Sequence, residues 1–166
     1  MQNEEVLKYV HNLCQKEDGY TAAHSSRVAK IAHILGKMLY LCGDDMQLLD
    51  EAAELHDIGK IQVREDILNK PGRLNDLEFS EMKKRSAYGF AIVSQENAKI
   101  ADIILSHHER YDGRGYPNGL SGNDIPYLAR IIAVADSIDA MSSDRCYRKA
   151  LPWTVCVDEI IKNSGK

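Results

Sequence analysis

The sequence predicts an all-α domain. Every long apolar pattern in its 166 residues recurs at helical spacing, no stretch alternates as a strand would, and Gly, Pro and paired acidic residues punctuate the periodic segments. The chain is long enough to bury one sizeable core, and an apolar content of 44% argues against disorder. The reading is one domain over residues 1–166.

The elements follow in order. Val6, Leu7, Val10 and Leu13 predict a helix over 4–16, and Val28, Ile31, Leu35 and Leu39 predict one over 22–41. The break at "CGDD" makes Asp44 or Asp45 the expected cap of a helix over 46–57, which carries Leu48, Leu49, Ala52 and Leu55 and is stopped by Gly59. The stretch "IQVREDILNKPGRLND", residues 61–76, reads as a loop with one short turn, followed by helices over 76–93 and 97–108. The stretch "ERYDGRGYPNGLSGNDIP" is too rich in Gly and Pro for a helix, so a long structured loop is expected there. Residues 127–141 form the most apolar helix, and 152–163 the last, with Pro152 in its first turn.

A net charge of −4 argues against general DNA binding, which needs a basic footprint, but leaves room for a small phosphorylated substrate. Cys14, Cys42, Cys146 and Cys156 form no CxxC pair and read as ordinary thiols of a reducing compartment. The start "MQNEEVLKYV" is unlike a signal peptide, and no apolar run is long enough to span a membrane. A cytoplasmic location is therefore expected.

Chemistry is concentrated at helix ends. "AELHDIGK" places His56 and Asp57 together at the end of an apolar helix, with Lys60 three residues on. His107 and His108 stand at a second helix end, before the Gly-rich loop. Asp136 lies among apolar residues, where an aspartate is rare unless it is paired or bound to metal, and Asp139 shares a similar face as a partner that could orient a ligand. His24 can complete the donor set. His33, nine residues later, falls on the opposite helix face, and His11 likewise reads as structural. Imidazole and carboxylate together suit a divalent transition metal. Lys60 cannot ligate while protonated, but it can offset charge on a phosphoryl group.

"LHDIGK" resembles the signature of the HD hydrolase superfamily. "HHERYDGRGYPNGL" followed by "IPYLARIIAVADSIDAMSSDRCYRKA" resembles its HD-GYP subgroup, Gly115-Tyr116-Pro117 being the namesake element; the likeness runs from about residue 20 to 165. It implies an HD-domain helical bundle holding iron or manganese and hydrolysing cyclic di-GMP, or in some members a cyclic GMP-AMP dinucleotide. The implied metal ligands are His24, His56, Asp57, His107, His108 and Asp136, with Asp57 bridging and Lys60 facing the scissile phosphate. Arg114, Tyr116, Arg148 and Lys149 are candidates for contacting substrate. A homodimer or a signalling protein is a further possible partner. Rival readings are a degenerate domain that binds nucleotide or a partner without cleavage, and a hydrolase of another nucleotide or phosphate ester.

Three departures from the family's pattern stand out. The family's histidine ligand four residues before the glycine of the helix between the HD and HH motifs is here Arg85, in "MKKRSAYG". Arginine offers no lone pair, which leaves one or two ions as the expectation. The second ion stays on the remaining ligands and water, or Arg85 projects into its position, or Arg85 faces solvent. The glutamate of three-metal members is here Tyr20, so no third ion is expected. The family's closing helix has no counterpart before Lys166, so apolar surface near 153–161 is expected to be exposed and to favour dimerisation.

Overall fold

The computed structural model describes residues 19–144 and 149–166, the side chains of 19–22 excepted. The expected helix over 4–16, with His11 and Cys14, lies outside these residues, as do Cys146 and Arg148. The described residues form an all-α fold. Eight α-helices run α1 Gly19–Met38, α2 Gly43–Leu55, α3 Glu65–Leu68, α4 Asp76–Lys83, α5 Arg85–Val93, α6 Ala98–Ser106, α7 Tyr127–Ser142 and α8 Trp153–Lys162, with 3-10 turns at Ile58–Gln62 and Gly122–Asp124.

Helix α1 packs on α2 and α7, α6 packs on α5 and α2, and the Ile58–Gln62 turn lies against α5. Val28, Ala32, Leu49, Ala52, Ala53, Ile104, Ile132 and Ala135 meet in one apolar core. In α7 the buried positions Leu128, Ala129, Ile131, Ile132, Ala135 and Asp139 follow the helical period, and Asp139 extends that stripe as a carboxylate. Helix α8 buries only Cys156, while Trp153, Val155, Val157 and Ile161 are exposed.

Several element ends differ from expectation. Helix α1 ends at Met38, because Tyr40 takes a left-handed φ of 59° while Leu41 N–H bonds the Gly36 carbonyl and Tyr40 N–H that of Lys37. This is a Schellman cap with tyrosine where glycine is usual, and nothing in the local sequence announces it. Helix α2 begins at Gly43 behind an extended Cys42. Asp44 and Asp45 sit in its first turn, where their charge favours the helix N-terminus, and neither is the cap. The single helix expected over 76–93 is broken at Lys84, and α4 starts from a capping box between Asn75 and Glu78.

The break at Lys84 lies beside a close contact. A Cβ on Gly59 would collide with the carbonyl of Arg85 and come within 2.5 Å of the amide of Gly89. The turn after His56-Asp57 is therefore seated backbone to backbone on the first turn of α5, which brings Arg85 to the same end of the bundle as the HD pair.

Candidate metal centre

His56 and Asp57 leave the end of α2, His107 and His108 leave the end of α6, and His24 and Asp136 come from α1 and α7. The structure brings all six together. His24, His56 and Asp57 offer one donor atom each within 4.8 Å of one another, and so do Asp57, His107 and His108. Asp57 belongs to both sets. The rings form a continuous run, with centroids 5.3 Å apart for His24–His56 and for His56–His107, and 3.9 Å for His107–His108. His33 lies apart, paired with Asp50 at 2.9 Å.

The imidazoles are oriented from behind. His56 Nδ1 donates to the Ala53 carbonyl at 2.7 Å, and His107 Nδ1 donates to the Ile104 carbonyl at 2.6 Å. A carbonyl only accepts, so both protons sit on Nδ1 and both Nε2 atoms carry lone pairs. These two Nε2 atoms are buried without a hydrogen-bond partner. His24 Nδ1 donates to Asp139 Oδ2 at 2.7 Å, which turns its Nε2 toward Asp136 Oδ1 at 3.2 Å and Asp57 Oδ2 at 3.6 Å. Buried imidazole lone pairs beside carboxylates are the donors that a divalent transition ion takes, and this set fits one.

Asp139, buried where Asp136 is half-buried, also accepts from Arg27 Nε at 2.5 Å and from Ser143 Oγ at 3.0 Å. Arg27 is a supporting residue that the sequence did not signal. Burial opposes the charge on Asp57, yet Lys60, His56 and Arg85 outweigh it and hold the carboxyl well below its usual range. Burial lowers the His24 pKa, but hydrogen bonds to Asp136 and Asp139 prevail and raise it. Burial, then the neighbouring His56, lowers His107 to about 4. Burial, then His107 and Arg85, holds His108 well below its ordinary value. In neutral solution His107 and His108 are therefore uncharged and keep their lone pairs.

Among the described residues, two protein cations face Asp57. Lys60 Nζ lies 2.6 Å from its Oδ2, and Arg85 Nε lies 4.0 Å from its Oδ1. Arg85 also donates to His108 Nε2, from Nε at 3.0 Å and from Nη2 at 2.7 Å. The side chain thus projects inward, into the centre, and does not face solvent.

The candidate substrate residues are dispersed. Tyr116 stacks on His108 with centroids 4.8 Å apart, and burial pushes its phenol up to about 12. Arg114 is exposed on the loop. Lys149 is exposed and pairs with Asp144 at 2.8 Å. Glu109 went unnoticed in the sequence, although an acid directly after a double histidine was its signal. It is buried and accepts from the amides of Asn118 at 2.7 Å and Leu120 at 3.0 Å, which folds the loop back on itself. Gly115 lies so close to the Glu109 and Arg110 backbone that a Cβ would collide with it.

A model of the HD domain family matches residues 8–166, and the chain belongs to that family. Its architecture is an HD-GYP-like helical fold with two triads of side chains whose donor atoms lie close enough together to hold a metal ion. It is 39% identical over 155 residues to the cyclic di-GMP phosphodiesterase response regulator RpfG of Xanthomonas campestris, covering 91% of this chain and 40% of that protein. It is 41% identical over 166 residues to a cyclic di-GMP phosphodiesterase of Thermotoga maritima, covering 98% of this chain and 45% of that protein. The chain thus spans less than half the length of these relatives. Among solved structures, Bd1817, an HDG"Y"P protein from Bdellovibrio bacteriovorus, superposes with a TM-score of 0.72 at 22% identity, over 98% of this chain and 57% of that one. No helix among the described residues is long and apolar enough to cross a membrane.

Proposed function

We propose that this chain is a metal-dependent phosphodiesterase domain that opens cyclic di-GMP to the linear dinucleotide, with iron or manganese as its ion. The observation that carries this reading is the pair of buried, unpartnered Nε2 atoms of His56 and His107 beside the shared carboxylate Asp57. Relatives named as cyclic di-GMP phosphodiesterases support the substrate class.

His24, His56, Asp57 and Asp136 are the residues that hold an ion. Such an ion, when bound, supplies Lewis acidity and acidifies water for attack on phosphorus. Asp139 fixes the His24 ring through Nδ1, and the Ala53 carbonyl does the same for His56. Lys60 moves from Asp57 to the phosphoryl oxygens and offsets the negative charge that grows on them. Arg114 meets the substrate's second phosphate, for which a guanidinium offers two parallel N–H donors. Tyr116, its phenol pushed by burial up to about 12, lines the site beside His108 and keeps its O–H as a hydrogen-bond donor.

The test is incubation of reconstituted protein with cyclic di-GMP under anaerobic Fe(II) and, separately, Mn(II), with the linear dinucleotide resolved by chromatography. Linear product that disappears on chelation is the expected result; none under either metal overturns the reading. Parallel reactions with a cyclic GMP-AMP dinucleotide and a simple phosphodiester fix the substrate. A second reading, binding without cleavage, is favoured by the guanidinium of Arg85 on His108, and tight cyclic di-GMP binding without product is its signature.

A further inference from the structure

The two donor sets around Asp57 are not equivalent, and Arg85 makes the difference. In the set of Asp57, His107 and His108, two N–H groups of Arg85 donate to His108 Nε2, at 3.0 and 2.7 Å. One lone pair cannot serve a guanidinium and an ion together. Withdrawing it leaves Asp57 and His107, too few donors for a stable site. The same guanidinium, through Nε, lies 4.0 Å from Asp57 Oδ1, so it already supplies positive charge to the shared carboxylate.

The arginine is held on more than one side. Its guanidinium carbon lies 5.9 Å from the centroid of Tyr116, whose ring stacks on His108, and Gly59 packs against its own backbone carbonyl. Lys60 is the instructive contrast. It also pairs with Asp57, but through a single ammonium on a flexible stem, and neither His24 nor His56 gives up its Nε2 to it.

We infer that this chain holds one divalent ion, at His24, His56, Asp57 and Asp136, and that Arg85 permanently occupies the position of a second. Arg85 is thus a built-in cation that fixes the metal stoichiometry and lends its charge to the phosphoryl group without Lewis acidity. The inference rests on the proposed metal centre but not on the proposed substrate.

The test counts ions. Chelated protein is reconstituted with excess Mn(II) under argon, desalted, and analysed by plasma mass spectrometry and by electron paramagnetic resonance. One ion per chain with an uncoupled Mn(II) signal is expected for the unaltered protein. Arg85→His is expected to hold two, with the exchange-coupled signal of a pair. His108→Ala is expected to stay at one, whereas a two-ion protein would lose an ion with that change. Two ions in the unaltered protein overturn the inference, as does an Arg85→His protein that folds by circular dichroism and still holds one. The unaltered protein's count decides the matter even where Arg85→His does not fold. Cleavage of cyclic di-GMP is scored separately. Counts of one and two with no cleavage by either protein remove the phosphodiesterase reading and leave this inference intact. Cleavage by an unaltered protein carrying two ions does the reverse.

Discussion

The His24 and His108 sides of the centre share Asp57 and are built from the same residue types, yet their outer imidazoles are treated in opposite ways. His24 is backed by a carboxylate: Asp139 accepts the hydrogen bond of its Nδ1–H, and Nε2 is turned toward Asp136 and Asp57. His108 is met by a cation on its Nε2. Between them His56 and His107 are near copies, each at a helix end, each giving Nδ1–H to the carbonyl three residues back, each with an unpartnered Nε2. The donor inventory alone does not define a metal site. The groups that accept or withhold the second nitrogen decide which donors remain available.

The comparison can be broken most forcefully at the residue both sides share. Asp57→Asn is expected to abolish ion retention and to lower any phosphodiesterase rate by on the order of 10³-fold or more, checked by metal analysis and product formation. Lys60→Ala separates charge compensation from ligation. It is expected to lower kcat by about 10²-fold with the ion count unchanged, measured by steady-state kinetics beside metal analysis. Asp139→Asn probes the support behind His24 and is expected to weaken metal affinity by about 10–100-fold, read by competition with a chelating dye.

pH sharpens the same contrast in chelated protein. The His107 pKa falls from 6.5 to about 4 in the fold, so the unfolded chain binds more protons between these values. Its contribution to stability is full above 6.5 and is lost as pH falls toward 4, by roughly 3 kcal/mol, and His108 adds the same sign. The pKa of His24 is raised, so its contribution is full below 6.5 and is lost as pH rises through the folded value. Urea midpoints of metal-free protein are therefore expected to peak near pH 6.5 and to fall on the acid side. The smallest effect belongs to the histidine outside the centre. His33→Ala removes a half-exposed pair with Asp50 and is expected to cost less than about 1 kcal/mol in the same titration.

Much of this was legible in the chain. The apolar period marked the helices over 127–141 and 97–108 to within two residues, because a buried stripe must repeat at the helical period. Residue chemistry singled out His56, Asp57, His107, His108 and Asp136, since such groups are costly to bury unless something binds them. Asp139 was readable as a partner because it shares the face of Asp136. What escaped was decided by distant contacts. "MKKRS" contains no helix breaker, yet the helix breaks at Lys84 beside the seat of Gly59 on α5. Arg27 and Glu109 carry no local signal of what they bind, because their partners are a carboxylate 112 residues away and the folded-back loop. Tyr40 adopts a left-handed turn that tyrosine does not advertise.

By itself, then, the sequence determined which atoms can donate and on which helix faces or ends they sit, because the helical period and side-chain chemistry are local properties. It also determined that Arg85 brings a charge and no lone pair. Tertiary structure alone decided where that charge points. Helix ends far apart in the chain converge only when their apolar stripes close one core, and a guanidinium at the mouth of that core turns toward the nearest acceptor that packing leaves within reach, here His108.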